Sequence, residues 1–224
     1  MSFDQWNAVD HYIADLLAPA NPIMEAALQA SNEAGLPAIN VAPNQGKLLQ
    51  LLARIQGGRN LLEIGTLGGY STIWLAGALP PDGRLVTIEL DPKHADVARE
   101  NIARAGLSEV VEQHVGPALE VLPKLAAENR DPFDFIFIDA DKPNIPHYFT
   151  WALRLARQGT VIVVDNVVRN GAVIDPESAD PNVQGVRRFY EMLAAEPGVS
   201  ATAIQTVGSK GYDGFAIAFV TGKQ

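Results

Sequence analysis

Short apolar runs alternate with amphipathic helical stretches from residue 60 to residue 165. Five of the runs have the length and the β-branched and aromatic content of buried strands. They are Asn60–Ile64, Arg84–Glu89, Val110–His114, Phe133–Asp139 and Gly159–Asp165. The helical stretches between them lie near residues 70–79, 92–105, 116–128 and 144–156. This alternation predicts an α/β fold built on a doubly wound parallel sheet.

The N-terminal part of the chain has a different pattern. Up to Gln56, apolar positions recur at helical spacing and several prolines interrupt them. We therefore expect residues 1–57 to form a helical part and residues 58–224 to form an α/β core. No linker separates the two parts and the sequence shows no internal repeat. The chain is therefore predicted to be a single domain over residues 1–224.

The pattern changes again after Asp165. The stretch Val167–Gln184 contains glycine and prolines and predicts a long loop, and Val186–Ala195 predicts a helix. Two last strands are predicted at Ser200–Val207 and Phe215–Val220, with a turn-rich connection between them. A connection this short suits an antiparallel pair, because parallel strands need a longer crossover.

Composition and charge narrow the class of protein. A chain of 224 residues with 47% hydrophobic and 19% charged residues is typical of a globular domain. The net charge of −9 argues against a broad nucleic-acid surface, since phosphate binding needs clustered lysine and arginine. The absence of cysteine excludes disulfides and thiolate metal sites. No signal-peptide pattern and no apolar run of about 18 residues is present, so we expect a cytoplasmic protein without a membrane span.

Two predicted strands end on an acidic residue with a second polar group close behind. Asp139 ends one strand and precedes Lys142, and Asp165 ends the next and precedes Asn166. Open α/β sheets bind ligands beyond the carboxyl ends of their strands, so these four side chains are expected to converge. The aspartates and the asparagine are hard oxygen ligands, which favour Mg²⁺, Ca²⁺ or Mn²⁺ over zinc, and the lysine is a candidate base.

A glycine-rich turn follows the first predicted strand. Gly65, Gly68 and Gly69 come after Glu63, which differs from the G-x-G-x-x-G spacing of dinucleotide sites. Glycine lets the backbone turn sharply and approach a ligand, although turn geometry alone explains the three residues equally well. A carboxylate two residues before the first glycine repels a pyrophosphate but suits an ammonium group or ligand hydroxyls.

Two acids compete for a ribose-binding role at the end of the second strand. An acid about twenty residues beyond a glycine turn accepts hydrogen bonds from ribose hydroxyls in related sites. Asp91 precedes Pro92, and an aspartate N-cap with proline at the first helical position explains it without a ligand. Glu89, at the strand end itself, is therefore the better ribose candidate.

Together, these residues resemble the class I S-adenosylmethionine-dependent O-methyltransferases. The greatest similarity is to the cation-dependent branch that contains catechol and caffeoyl-CoA O-methyltransferases. The resemblance runs from Ile39–Val41 through the glycine turn, Asp139–Lys142 and Asp165–Asn166 to Gly211–Gly214, which is nearly the whole chain. It implies a Rossmann-like fold with a mostly parallel sheet, an antiparallel C-terminal strand pair and additional N-terminal helices.

The resemblance also implies roles for individual residues. S-adenosylmethionine and a divalent cation are the implied cofactors, and Lys142 matches the catalytic lysine. The implied metal ligands are Asp139, Asp165 and Asn166. The implied cofactor contacts are Val41, Glu63, Gly65, Thr66, Ser71, Glu89, Ala118 and Asp139, with Glu89 at the ribose and Ala118 on the adenine side. The implied reaction methylates a hydroxyl of a small catechol-like or hydroxylated aromatic molecule, and a homodimer is the implied assembly.

Three alternatives remain open at this point. Some bacterial relatives of the family methylate a hydroxylated uridine in tRNA, although the acidic balance of this chain weighs against that substrate. A nicotinamide-dependent oxidoreductase uses a similar fold, and a non-catalytic ligand-binding module is the third possibility. The four histidines have no metal-ligand spacing and are predicted to be structural, and Arg187 and Arg188 are predicted to lie on a solvated helix face.

Overall fold

The computed structural model describes residues 2–19, 21–128 and 130–222. Three N-terminal helices precede the sheet: α1 (Phe3–Leu17), α2 (Pro22–Glu33) and α3 (Pro43–Gln56). The central elements are β1 (Asn60–Ile64), α4 (Tyr70–Ala76), β2 (Arg84–Glu89), α5 (Pro92–Arg104), β3 (Val111–Val115), α6 (Ala118–Ala127), β4 (Phe133–Ile138), α7 (Ile145–Leu155) and β5 (Ala156–Asp165). The C-terminal elements are α8 (Pro181–Ala195), β6 (Val199–Gly208) and β7 (Gly211–Val220). Short 3-10 helices lie at Lys142–Asn144 and Ala172–Ile174.

The strands form one sheet in the order β3-β2-β1-β4-β5-β7-β6. Strands β1 to β5 pair in parallel, and β7 pairs antiparallel with both β5 and β6. The prediction of a mostly parallel sheet with an antiparallel C-terminal pair is confirmed. The chain winds outward in opposite directions from β1 and β4, so a crevice opens between the carboxyl ends of these two strands.

Helices cover both faces of the sheet. Along β4, Phe135 and Phe137 join one apolar cluster with residues of α2, α3 and α4, whereas Ile136 and Ile138 join a second cluster with residues of α6, α7 and α8. Alternation to both faces explains why β4 is apolar at almost every position. Each large side chain buried in this way contributes roughly 1.5–3 kcal/mol, which holds the strand ends that carry the site.

Several element boundaries differ from the sequence prediction. Strand β5 begins at Ala156, three residues before the predicted start. Helix α8 begins at Pro181, inside the stretch predicted as a loop. The Asp180 side chain accepts a hydrogen bond from Asn182 N at 2.8 Å, and proline occupies the first helical position. The Asp-Pro pair in the sequence is thus an N-cap followed by the first helical residue. The helix that it begins is longer than the spacing of apolar residues alone predicts.

The C-terminal hairpin is tighter than predicted. Only Ser209 and Lys210 connect β6 and β7, and most of the glycine-containing stretch lies within β7. Gly214 marks a close backbone approach, since a Cβ there would lie 2.2 Å from the carbonyl oxygen of Ile204. Glycine at this position therefore reflects strand packing and not a turn.

Helix α1 lies against this hairpin. Asp10 on α1 accepts hydrogen bonds from Asn44 Nδ2 at 2.9 Å and from Ser209 N at 2.7 Å. Helix α1 contains no buried residue, and Asp10 itself is half-buried. No helix in the described ranges is both long enough and apolar enough to cross a membrane.

Candidate active site

A cavity of about 630 Å³ opens at the carboxyl ends of β1, β2, β4 and β5. Every predicted cofactor contact except Glu63 lines it, together with the predicted base and two of the three predicted metal ligands, Asp139 and Asn166. These lining residues are Val41, Gly65, Thr66, Ser71, Glu89, Ala118, Asp139, Lys142 and Asn166. The strand ends thus bring together residues up to 125 positions apart in the sequence, from Val41 to Asn166.

One side of the cavity is formed by residues 64–67, Tyr70, Ser71 and Glu89. We call residues 63–71 together with Glu89 the glycine-turn side. Gly65 follows β1 with φ of +100°, and a Cβ there would lie 2.0 Å from the carbonyl oxygen of Asp139. Asp139 N in turn donates to Ile64 O at 2.9 Å. Gly65 therefore allows the ends of β1 and β4 to meet, in addition to any contact with a ligand.

Glu89 organises the glycine turn. Its Oε2 accepts hydrogen bonds from Thr66 N at 3.1 Å and Leu67 N at 2.7 Å, and its Oε1 accepts from Asp91 N at 2.9 Å. These bonds hold Leu67 at φ of 50°, a left-handed conformation uncommon for leucine. Asp91 caps α5 by accepting from Lys93 N at 2.8 Å, as its position before proline predicted.

Glu63 lies behind the cavity wall. It is fully buried, and its carboxyl group accepts hydrogen bonds from the hydroxyls of Ser71, Thr72 and Thr87 at 2.5–2.7 Å. Burial raises the pKa of Glu63 to about 7, against the lowering effect of the three hydroxyls. Of the predicted contacts, Glu63 is the one that reaches the cavity only through another side chain, because Ser71 is in the lining.

The opposite side of the cavity is formed by Asp139–Lys142, Asn166 and Arg169. We call residues 139–142 and 165–170, which include Asp165 outside this lining, the aspartate side. Asp139 follows β4, and Lys142 Nζ lies 2.9 Å from Asp139 Oδ1. Lys142 is only 7% exposed because α8 packs closely over it; a Cβ at Gly185 would lie 2.2 Å from the Lys142 carbonyl oxygen. The predicted base is thus held beside a predicted metal ligand.

Asp165, the last residue of β5, is 5% exposed. Its Oδ2 accepts from Gln45 Nε2 on α3 at 2.8 Å, and its Oδ1 accepts from Asn166 N at 2.8 Å. Burial first, and then the negative charge of Asp139, raise the pKa of Asp165 to about 7, although Lys142 opposes this shift. The predicted convergence of Asp139, Lys142 and Asp165 is therefore present in the structure.

Comparison with known proteins identifies the class of this site. A sequence model of the O-methyltransferase family matches residues 15–216. The chain belongs to the O-methyltransferase family. The predictions of this family and of an S-adenosylmethionine-dependent methyltransferase enzyme are confirmed, and the alternatives of a nicotinamide-dependent oxidoreductase and a non-catalytic module are set aside.

Three relatives show how close the similarity is. A catechol O-methyltransferase of Niastella koreensis is 57% identical over 215 residues, which cover 96% of this chain and 97% of that protein. An O-methyltransferase from Bacillus cereus in complex with SAH has a TM-score of 0.97 and 61% identity, over 98% of this chain and 100% of that one. TomG of Streptomyces achromogenes, in complex with SAM, has a TM-score of 0.96 and 57% identity, over 99% and 100% of the two chains.

In this O-methyltransferase, Asp213 on β7 holds the loop after Asp165. Its Oδ1 accepts from Val168 N at 2.9 Å and Arg169 N at 3.0 Å. The loop contains three non-glycine residues with positive φ: Asn166 at 57°, Arg169 at 55° and Asn170 at 54°. Such conformations persist only where surrounding contacts enforce them, so the carboxylate of Asp213 fixes the direction of the loop.

The lining also contains polar residues to which the sequence analysis assigned no role in the site. They are Asn40, Tyr70, His94, Asp141, Asn144, Tyr148, Arg169 and Asn182. His94, predicted to be structural, lies with Nδ1 3.6 Å from Glu89 Oε1. Asp141 accepts hydrogen bonds from Tyr148 and Asn144. The sequence signal available for finding most of these residues was their position shortly after a strand end. Which of those positions face the cavity depends on how the helices pack.

Two of the three predicted metal ligands border a second cavity, and Asp165 lines this cavity instead of the main one. This cavity, of about 430 Å³, is lined by Asp165 and Asn166 together with Asp10, Gln45 and Lys210. Across the described part of the chain, no three histidine, aspartate or glutamate side chains converge as a metal-binding group. The predicted set has only two carboxylates and one amide, and its cation-binding role stays a prediction.

Proposed function

We propose that this enzyme transfers the methyl group of S-adenosylmethionine to a hydroxyl of a small catechol-like or hydroxylated aromatic molecule, with a divalent cation assisting. One observation carries the proposal: Lys142, Asp139 and Asn166 line the same cavity as Glu89 and the glycine turn. A methyl donor on the glycine-turn side and an acceptor on the aspartate side would therefore be neighbours. Holding two reactants in line in this way is worth about 7–11 kcal/mol of the barrier.

The cofactor assignment rests on the glycine-turn side. Glu89 would accept hydrogen bonds from the ribose, Ala118 would lie beside the adenine, and Ser71 would lie near the amino-acid end of the cofactor. Glu63 would act through Ser71, whose hydroxyl donates to it at 2.6 Å. The complexes of the Bacillus cereus and Streptomyces achromogenes relatives with SAH and SAM support the choice of cofactor.

The residues on the aspartate side fit a hard divalent cation. Asp139, Asp165 and Asn166 offer only oxygen ligands, and the two carboxylates share one nearby ammonium group, Lys142. A cation of the Mg²⁺, Ca²⁺ or Mn²⁺ class matches such a set and its charge. When bound, it would supply Lewis-acid chemistry that lowers the pKa of a substrate hydroxyl, which for a free phenol is about 10 by analogy with tyrosine.

Lys142 is the group that we assign to proton removal. Its Nζ donates to Asp139 Oδ1, and this bond orients the amine at the edge of the cavity. The acceptor oxygen would form a bond to the methyl carbon as the carbon–sulfur bond breaks. The hydroxyl proton would pass to Lys142 Nζ in its neutral amine form, which the charge of a bound cation would favour over the ammonium form. The products are the methyl ether and S-adenosylhomocysteine.

A small aromatic acceptor is supported by the similarity to the Niastella koreensis catechol O-methyltransferase. The tRNA hydroxyuridine alternative has no feature of this structure in its favour, and the net charge of −9 opposes it. The test is methyl transfer from labelled S-adenosylmethionine to a panel of catechols, flavonoids and tRNA. Each assay is run with a chelator and again after Mg²⁺, Ca²⁺ or Mn²⁺ is added back.

We expect catechols to be methylated, activity to disappear with the chelator and one or more of the cations to restore it. Activity that survives complete chelation would overturn the role of the cation. Methylation of tRNA with no methylation of any aromatic hydroxyl would overturn the acceptor class while leaving the enzyme class intact.

A further inference from the structure

Arg169 is the one cationic residue of the aspartate side besides Lys142. It lies three positions after Asn166, lines the main cavity, and has a side chain that is 31% exposed. Its backbone has φ of 55°, a left-handed conformation that is uncommon for residues other than glycine. Asp213 enforces this conformation by accepting a hydrogen bond from Arg169 N at 3.0 Å.

The guanidinium group of Arg169 lacks close partners within the described residues. Its Nε is buried without a hydrogen-bond partner. Its nearest ion pair, from Nη1 to Asp213 Oδ2, measures 3.9 Å. Charge-assisted hydrogen bonds are about 2.7–2.9 Å long, so this pair is an electrostatic contact only. Polar groups that are partly buried normally find partners, and an arginine with so few of them points to a ligand.

The carboxylates on this side of the cavity and that of Asp213 form their hydrogen bonds with other groups. Asp213 Oδ1 accepts from three backbone N–H groups, those of Val168, Arg169 and Gly214. Asp141 accepts from Tyr148 and Asn144, and Asp139 accepts from Lys142. None of these acids forms a hydrogen bond with the Arg169 side chain in the described structure. A carboxylate supplied from outside the chain would therefore meet a guanidinium group with donors to offer.

We propose that Arg169 binds the carboxylate of the acceptor, and that the preferred acceptors are catechols bearing a carboxylate group. The planar guanidinium group matches a carboxylate with two parallel hydrogen bonds, which gives both affinity and orientation. Anchoring the acceptor at the end away from the reacting hydroxyl would select which catechols bind productively. This inference rests on the proposed catechol O-methyltransferase function.

The test compares two acceptors that differ only in charge. They are 3-(3,4-dihydroxyphenyl)propanoate and the corresponding amide, in which two methylene groups insulate the ring from the changed group. For the wild-type enzyme we expect kcat/KM to be about 10- to 100-fold higher for the acid, the range given by hydrogen bonds to charged groups.

Two variants then assign the preference to the arginine. Arg169→Gln removes the charge, and Arg169→Asn does so with a residue that tolerates positive φ. Both should lower kcat/KM for the acid by about 10-fold or more and change it for the amide by less than about 3-fold. Arg188→Gln is the matched control, because Arg188 is exposed on α8 and lies outside both cavity linings. Binding of S-adenosylhomocysteine by calorimetry checks that each variant is folded.

The outcomes separate this inference from the function on which it rests. Equal kcat/KM for acid and amide in the wild type would overturn anion recognition and leave catechol methylation standing. A preference for the acid that persists in both Arg169 variants would also overturn it. Absence of methylation of either acceptor, with S-adenosylhomocysteine still bound, would overturn the proposed function itself and this inference with it.

Discussion

The two sides of the cavity satisfy their charged groups in different ways. On the glycine-turn side, Glu63 accepts three hydroxyl hydrogen bonds and Glu89 accepts three from the backbone. On the aspartate side, Asp139 and Asp165 are close enough for the charge of one to raise the pKa of the other. Arg169 there has only a 3.9 Å ion pair. The buried carboxylates of the glycine-turn side therefore have hydrogen-bond partners within the protein. The aspartate side has charges that bound ligands would balance.

This difference indicates two strategies for binding. A network of backbone and hydroxyl donors fixes the shape of the glycine-turn side, which suits a ligand that returns in the same form in every cycle. Incompletely paired charges cost folding free energy, and a site retains them where function uses them. We therefore expect substitutions on the glycine-turn side to change cofactor affinity, and those on the aspartate side to change turnover and cation dependence.

The largest effect is expected at Lys142. Replacing a general base typically costs about 10²- to 10⁴-fold, so Lys142→Met should lower kcat by that range. Because Lys142 is on the aspartate side, the Kd for S-adenosylhomocysteine should change by less than about 3-fold in calorimetry. Lys124→Met, at an exposed position of α6, is the matched control. A Lys142→Met enzyme with more than a tenth of the wild-type kcat would contradict the assigned role.

The next effect concerns stability and the buried Glu63. Its folded pKa of about 7 lies above the ordinary value of 4.5, so the folded state holds the proton more tightly. The protonated carboxyl group therefore stabilises the folded state. This stabilisation, on the order of 3 kcal/mol, is fully present below pH 4.5 and is lost as the pH rises to about 7. Asp139 is the other acid whose charge acts on this group.

Glu63→Gln removes this titration. The difference in free energy of unfolding between wild type and variant should therefore shift in favour of the variant between pH 4.5 and pH 7, as measured by urea unfolding. Glu109→Gln, at an exposed position, should show no such shift. A difference that stays constant with pH would show that Glu63 is ionised in the folded protein.

A smaller effect is expected at Glu89 and separates it from Asp91. Glu89→Gln removes the charge that receives the Thr66 and Leu67 N–H groups, so the Kd for S-adenosylhomocysteine should rise about 10- to 100-fold. Asp91→Asn keeps an equally good N-cap and should leave this Kd nearly unchanged. If the two variants weaken binding equally, Glu89 has no special role at the ribose.

The smallest effect is expected at Gln45, which lies behind the aspartate side. Gln45→Leu removes the hydrogen bond to Asp165 Oδ2, and loss of such an outer contact typically weakens metal binding about 10-fold or more. The cation concentration for half-maximal activity should rise accordingly, with cofactor affinity unchanged. Gln29→Leu on the exposed face of α2 is the control. An unchanged cation requirement would limit Gln45 to a structural role.

Much of the site followed from the sequence because its residues end strands. Asp139, Asp165 and Glu89 could be placed at one edge of the sheet once the alternation of strands and helices was recognised. The predicted convergence with Lys142 is present, and Asp91 is the N-cap that its position before proline predicted. Gly65 could be read as a turn residue, but its close approach to Asp139 could not, since that contact joins positions 74 residues apart.

The features that the sequence did not reveal depend on contacts between distant segments. Gly214 reads locally as part of a turn, yet it belongs to β7 because its backbone packs against Ile204. Glu63 reads as a cavity residue, yet Ser71, Thr72 and Thr87 from α4 and β2 enclose it. No local sequence pattern predicts that Arg169 lies at the cavity. Its position there depends on the carboxylate of Asp213 on β7, which accepts a hydrogen bond from Arg169 N.

The sequence by itself determined the order of the elements, the family and the edge of the sheet at which the chemistry lies, because periodicity and strand ends are local properties of the chain. The tertiary structure alone decided how each polar group is partnered. Burial and hydrogen bonding come from elements far apart in sequence, and these contacts separate the complete network around Glu63 and Glu89 from the incompletely paired charges at Asp165 and Arg169.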